Sequence, residues 1–384
     1  MSDRENLTSK TQEHPRQGEG THHSGSGGSS SHHHHHHHRH HRRGPFARLR
    51  RRIKKHKKEV SLVAVLLILV FLFLGFFAYR NMSSQKSLHV ESGNSYDMGA
   101  GYRNVVYNGR KYEYNQLITT VLYVGVDAQG EMQTFSRAGM APRSDSMSLV
   151  VFDKKHQKMS IISVNRDTIC RLRRYSLMMD YWEFYDSQLS YAYAFGDGAE
   201  ISINNVVEAV SNLLGVPIDD YVITNRDSIA GLNDLVGGVD VVVPNNDLVS
   251  QYPEMEKGKT VHLDADNVAS FVRYRDTGVD FSNASRLERQ KVFINSYVDK
   301  LQDMLPGKAE EFWDKMSSIE HFMQTSITKN KYLKYAKLVS ALDYGEGDFI
   351  QLSGEYVEGQ QHNEFYVDVD DLKAKVMDLF YDLA

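Results

Sequence analysis

The chain has a single cysteine in 384 residues, Cys170. No intramolecular disulfide can form, so an exported domain of this sequence is held by its apolar core, and roughly 270 residues bury enough surface for that. Nothing near Cys170 in sequence supplies an activating histidine, and a buried, inert thiol is expected. Positive charge is also scarce over most of the chain. Residues 1–58 hold 14 of the 45 Lys and Arg but only 4 of the 49 Asp and Glu, which leaves 31 basic against 45 acidic residues in the remainder. That acidity excludes nucleic acid as the natural partner, and it makes a local arginine cluster conspicuous because the cluster opposes the net field. There is no internal repeat, and no small-x-small cleavage site follows the one long apolar run.

That run, VSLVAVLLILVFLFLGFFAY at 60–79, has the roughly twenty residues that a helix needs to cross a bilayer. FARLRRRIKKHKKE precedes it, whereas RNMSSQKS after it holds only Arg80 and Lys86. The positive-inside rule then places the N-terminus in the cytoplasm and the rest outside. An uncleaved single-pass transmembrane helix over 59–80 is expected, since a core helix is not apolar on every face. The preceding tail, 1–58, carries a Gly/Ser stretch, consecutive histidines at 32–38 and no apolar periodicity, so it reads as disordered. The histidines read either as a tag or as a native low-complexity segment with affinity for metal. Their internal position, with Arg39, His40 and His41 following, favours the native segment. The basic end of the tail, 48–58, suits anionic headgroups at about 1 kcal/mol per charge.

Beyond the membrane, β-branched runs bounded by polar turns predict buried strands over 117–126, 146–152 and 159–164, the last two joined by a hairpin-like link. Helices are expected over 189–195 and 203–214, the second stopped by Gly215 and Pro217. A strand over 221–224, a helix over 228–236 and a Gly237-Gly238 turn into a strand over 239–243 follow. Residues 267–275 run as helix or strand, and a long helix passes from Arg286 through Leu301. This mixture predicts an α/β fold, a three-layer α/β/α domain with a central mixed sheet, over 117–384. Residues 81–116 read as an extracellular stalk or accessory segment with a β-hairpin over 105–114.

Four basic motifs stand out: Arg143-Ser144-Asp145, Arg166-Asp167, Arg273-Tyr274-Arg275 and Arg286-Leu287-Glu288-Arg289-Gln290. On an extended strand Arg273 and Arg275 share a face, and on a helix Arg286, Arg289 and Gln290 do. Any one motif alone is ordinary solvated charge. Together they suit a di- or polyanion, because guanidinium groups grip phosphate oxygens through paired hydrogen bonds.

TVLYVGVD, RSDSMSLVVF, ISVNRDT, AYAFGDG, LVGGVDVVV, FVRYR and RLERQ occur in an order and spacing that resembles the LytR-CpsA-Psr family, membrane-anchored enzymes of bacterial cell-envelope assembly. The resemblance is strong over 117–302 and looser through the C-terminal VDVDDLKAKVMDLFYDLA. It implies a phosphotransferase that moves a glycopolymer from a polyprenyl-pyrophosphate carrier to peptidoglycan through a phosphodiester, at the cell membrane of a Gram-positive-type envelope. It also implies Mg²⁺, or Mn²⁺ in its place, held by Asp127 and Asp145. Each aspartate alone reads equally as a turn or capping residue. Arg143, Arg166, Arg273, Arg275 and Arg286 would grip the pyrophosphate, with Gln290 as a neutral partner. Asp167 would orient Arg166 or act as a base, and orientation is favoured. Arg289 would touch the anion or pair at the surface with Glu288 or Glu310. The prenyl chain would enter a tunnel beneath the sheet, with the helix over 203–214 as a candidate wall. Tyr191 and Tyr193 suit contact with sugar or phosphate as well as packing.

The chain departs from that pattern at Gln188, a substrate-binding position where the family often has lysine, and at Asp197 in place of a second glycine. The lost lysine weakens the positive lining. AQGEMQTFSRAGMAPR, between Asp127 and Ser144, suggests an enlarged loop at the mouth. Two other readings use the same residues: a polyprenyl-pyrophosphate hydrolase, in which water replaces the sugar hydroxyl, and a non-enzymatic envelope regulator. Neither the polymer nor the acceptor is named by the sequence.

Overall fold

Asn108 and Gly109, both at positive φ, turn the first hairpin of the computed structural model, from β1 (Asn104–Tyr107) to β2 (Arg110–Tyr114). Such a dipeptide matches the twist of the flanking strands. The structure describes residues 104–275, 283–359 and 362–384. The basic tail and the apolar run at 60–79 expected to span a membrane lie outside the described residues. Among the described residues no helix is long and apolar enough to cross one.

The central sheet starts with three strands close to their expected ranges: β3 (Ile118–Val126), β4 (Ser144–Asp153) and β5 (Lys158–Val164). Side chains alternate across a strand. Leu122, Val124, Met147, Leu149 and Ile162 therefore enter the core on one face. Val121, Tyr123, Ser148, Val150 and Ile161 line a cavity on the other. Next come a long hairpin, β6 (Ile169–Tyr175) and β7 (Tyr181–Gln188), a single helical turn α1 (Tyr191–Ala194) and α2 (Glu200–Leu214). Gly215 ends α2 in the left-handed conformation that a residue without Cβ adopts freely. The hairpin was not expected. Arg173 ties it to α2 through Glu208 at 2.6 Å, and the Arg173 N–H donates to Asn205 Oδ1.

Continuing, β8 (Asp220–Thr224) leads to α3 (Ser228–Leu235), then β9 (Val239–Val242), β10 (Thr260–Leu263) and α4 (Val268–Arg273). The long α5 (Asn283–Met304) and α6 (Ala309–Met316) precede β11 (Met323–Thr325) and α7 (Lys329–Ala341). The chain closes with β12 (Phe349–Gln351), β13 (Gly354–Glu358), β14 (Asn363–Val367), α8 (Val369–Phe380) and β15 (Tyr381–Leu383). The six-stranded mixed sheet has the order β11-β8-β3-β4-β5-β12, with β8 parallel to β3 and β12 parallel to β5. Helices cover both faces. Residues of α2 and α8 share the core cluster of the first face, and α5 and α7 stand on the cavity side. The last strand, β15, pairs antiparallel with β2, so the hairpin that reads as part of a stalk is tied to the C-terminus.

Gly237 and Gly238 turn α3 into β9 at φ +73° and +76°. A Cβ on Gly238 would lie 2.5 Å from the Leu263 carbonyl oxygen, whereas one on Gly237 meets nothing within 4 Å. Left-handed backbone alone costs a non-glycine residue about 1–2 kcal/mol. Gly238→Ala is therefore expected to lower denaturant-measured stability by more than Gly237→Ala, which should lose only that amount.

Candidate active site

Strand direction brings the acids and arginines to one edge. β3 ends there and β4 begins there, so Asp127, just past β3, lies beside the start of β4, with its N–H donated to the Arg143 carbonyl at 2.9 Å. The parallel β8 and the antiparallel β5 both end at this edge, in Asn225-Arg226-Asp227 and Asn165-Arg166-Asp167. Arg166 pairs through Nη1 with Asp145 and through Nε with Asp167 at 3.2 Å. Burial works against its charge, but Asp145 and then Asp167 outweigh it, and the Arg166 pKa is raised. Asp127 faces two cations, Arg226 Nη1 and Arg273 Nη2, each at 3.4 Å.

The remaining cations are less well compensated. Arg286 is buried, with Nη2 donating to Asn283 Oδ1 at 2.6 Å and Nε lacking a partner. Burial, followed by Arg166, pulls its pKa down to about 10. The pKa of Arg273 is lowered too, by burial and then by Arg226. Guanidinium groups that hold one another's protonation down form a field suited to an anion. Arg143 lies 4.1 Å over the ring of Tyr191, whose hydroxyl shares a hydrogen bond with His362 Nε2 at 3.0 Å. Tyr193 is instead buried, its hydroxyl bonded to the Gly198 carbonyl.

Two expectations about arginine geometry are corrected. Arg273 is the last residue of a helix and Tyr274 leaves it extended at φ −52° and ψ 135°, so Arg273 and Arg275 do not alternate on a strand. Arg289 does not share the face of Arg286 and Gln290. It is fully buried, donating Nε to the Phe271 carbonyl at 2.8 Å, Nη1 to Asn245 and Asp247, and Nη2 to the Tyr274 carbonyl. Its ionic partner is Asp247, not Glu288 or Glu310. It thereby fixes the backbone that carries Arg273 and Arg275. Gln290 lines the cavity and donates to the Val272 carbonyl at 3.1 Å. Gln188 is buried, with Nε2 on Asp167 Oδ1 at 3.3 Å and on the Asn363 carbonyl at 2.7 Å. With Arg166 and Asn283 also donating to Asp167, that carboxylate is held in place on both oxygens. Cys170 lies in β6, where burial pushes its thiol up to about 12, far from a nucleophilic thiolate.

Part of this cluster opens onto a cavity of about 580 Å³. Asp127, Asp145, Arg226, Arg273, Arg286 and Gln290 make its polar end. Inward, its wall is apolar: the cavity-side residues of β3, β4, β5 and β8 face Phe293, Ile294 and Leu301 of α5, Met316 of α6 and Val339 of α7. No residue of α2 lines it, because α2 packs on the opposite face of the sheet. The tunnel wall expected from 203–214 is thus supplied by α5 to α7. Arg226 was missed by reading for arginine clusters. The repeat of Asn-Arg-Asp at 165–167 and 225–227 is the signal that would have found it.

A family model described as LytR_cpsA_psr matches residues 84–378. The chain belongs to the LytR-CpsA-Psr family. Among curated relatives it is 25% identical over 329 residues to the polyisoprenyl-teichoic acid–peptidoglycan teichoic acid transferase TagV of Bacillus subtilis, covering 83% of this chain and 76% of that protein. It is 28% identical over 286 residues to the transferase TagU of Bacillus anthracis, covering 73% and 83% respectively. The crystal structure of B. subtilis TagV superposes with a TM-score of 0.50 at 25% identity, over 68% of this chain and 95% of that one. The α/β fold of the family and its central mixed sheet are therefore those of this chain.

Breaking a buried ion pair from one side costs about 3–5 kcal/mol. Arg289→Ala, which strands Asp247 and two backbone carbonyls, should lose stability on that scale in denaturant unfolding. Arg286→Met removes a poorly compensated buried charge and should change stability by about 1 kcal/mol or less. The Arg286 pKa also sets a pH dependence. A base whose folded pKa is lowered costs stability while charged, and the cost is relieved above about 10. A bound anion reverses the shift, so pyrophosphate binding should take up protons and weaken as pH rises through about 10, measured by calorimetry in buffers of different ionisation enthalpy.

Proposed function

We propose that this chain is a membrane-anchored phosphotransferase that moves a teichoic-acid-type glycopolymer from a polyprenyl-pyrophosphate carrier to peptidoglycan through a phosphodiester. The observation that carries the reading is the continuity of an arginine-rimmed mouth with an apolar cavity. A polyprenyl pyrophosphate has the same division: a dianionic head and a long hydrocarbon tail. The relatives named as teichoic acid transferases support the transfer class and the glycopolymer. The positive-inside reading of 60–79 supports a catalytic domain on the outer side of the cell membrane, where it would meet both the carrier and the wall.

Asp127 and Asp145 suit a divalent cation. Both line the mouth, and among the described residues no group of three or more His, Cys, Asp and Glu makes a closed cage. Mg²⁺ favours such a site, taking one or two carboxylates and completing its shell with substrate phosphate and water. When bound it would neutralise pyrophosphate charge and make phosphorus more electrophilic. The arginines act on the same charge by hydrogen bonding, and they are positioned before substrate arrives. Arg166 is fixed by Asp145 and Asp167, and Arg273 and Arg275 are carried on backbone anchored by Arg289. Asp167 is engaged by three donors, which supports the orienting role over that of a base.

The test uses the full chain in detergent with a polyprenyl-pyrophosphate-linked glycopolymer, Mg²⁺ and peptidoglycan oligosaccharides, followed by mass spectrometry. The expected product is a phosphodiester-linked conjugate, and Arg166→Ala should reduce its rate by about 100-fold. Free phosphorylated polymer without conjugate would select the hydrolase reading instead.

A further inference from the structure

The edge of the sheet carries an internal likeness. Two Asn-Arg-Asp turns leave the strands that flank the central pair, one after β5 beside β4 and one after β8 beside β3. In each, the aspartate N–H donates to the asparagine Oδ1 at 3.0 Å. Each arginine reaches a carboxylate at the mouth end of the adjacent central strand, Arg166 to Asp145 in β4 and Arg226 to Asp127 just past β3. The second turn also braces the loop that bears Asp127: Gly130 N–H donates to Asp227 Oδ2 at 2.7 Å, and Arg226 N–H donates to the Ala128 carbonyl at 3.2 Å.

The two arginines differ in what they leave free. The Arg166 side chain is 14% exposed and its pairs engage both Asp145 and Asp167. Arg226 is 33% exposed, makes one ion pair at 3.4 Å, and its Nε is buried without a partner. Their positions differ as well. Arg226, Arg273 and Arg286 belong to the cavity wall, and beside Arg226 the wall turns apolar at Ile229 and Leu232. Arg143, Arg166 and Arg275 lie outside that wall. The mouth therefore has an inner set of cations next to the apolar tunnel and an outer set away from it.

We propose that Arg226, together with Arg273 and Arg286, binds the phosphate that carries the prenyl chain and stabilises it as the leaving group. This rests on the transferase reading above. In the transfer, the acceptor hydroxyl oxygen bonds to the sugar-side phosphorus, and its proton passes to solvent. The bond from that phosphorus to the bridging oxygen breaks, and the electron pair stays on the departing polyprenyl monophosphate. Negative charge thus grows on the phosphate nearest the tunnel, where the unengaged donors of Arg226 are placed.

Binding of undecaprenyl monophosphate and steady-state transfer are measured on the full chain in detergent for the wild type, Arg226→Ala, Arg226→Lys and Arg166→Ala, with thermal unfolding of each. Arg226→Ala should bind the monophosphate at least about 10-fold more weakly and lower kcat by about 100-fold, with a smaller change in KM. Arg226→Lys should recover part of both, and Arg166→Ala should leave monophosphate binding within about threefold of wild type. If Arg226→Ala melts early, Arg226→Lys and Arg226→Gln carry the same comparison. Wild-type monophosphate affinity in folded Arg226 variants would overturn the proposal, as would a kcat defect cured by raising Mg²⁺ alone, which would make Arg226 only a support for Asp127. Monophosphate binding needs no transfer. A wild type that binds it through Arg226 yet transfers to no acceptor would refute the transferase reading and leave the phosphate contact standing.

Discussion

Buried guanidinium groups need negative charge, and at this sheet edge the protein does not supply enough of it. Arg143, Arg166, Arg226, Arg273, Arg275 and Arg286 meet there, against Asp127, Asp145, Asp167 and the outlying Asp227. The pKa values of Arg273 and Arg286 are lowered, first by burial and then by a neighbouring arginine, in keeping with that deficit. A polyanion removes it. The same deficit explains why so much of the surrounding polar structure is supporting framework: Arg289, Asn283, Gln188 and the two Asn-Arg-Asp turns hold like charges together that would otherwise move apart.

The sheet separates packing from binding by a period of two. Leu122 and Val124 of β3 pack in the core shared with α2, whereas Val121, Tyr123 and Gly125 between and beside them face the cavity, so one strand serves both sides. Ser146 and Ser148 on β4 and Gly125 on β3 keep the cavity side of the central strands small near the mouth, while Phe152 and Met159 close in farther along. The cavity exists because α5 to α7 leave it open, not because the sheet is short of apolar residues.

Much of this was legible in the sequence. The runs at 117–126, 146–152 and 159–164 are strongly apolar and β-branched, and their strands fall within two residues of expectation at each end. The β6–β7 hairpin was not, because only Leu172 and Cys170 carry it into the core, too short an apolar pattern to read as a strand, and arginines stacked on aromatic rings cover the rest of it. The tunnel was assigned to the more apolar helix, α2, but that apolarity is spent on the opposite core. The polar-looking α5 lines the cavity with a single stripe. Within RLERQ, positions three and four residues apart look equivalent by spacing, and only the packing of α4 beside α5 turns Arg289 away from Arg286 and Gln290. Arg226 stood alone in sequence, outside every cluster of basic residues.

The claim on which the rest depends is that one cavity holds both halves of a lipid-linked pyrophosphate. The direct measurement is a crystal structure of the protein with a polyprenyl pyrophosphate and Mg²⁺. The account requires the head group among Asp127, Asp145, Arg226, Arg273 and Arg286, with the prenyl chain between the sheet and α5 to α7. A prenyl chain bound on the α2 face, or a head group held away from these arginines, would contradict it.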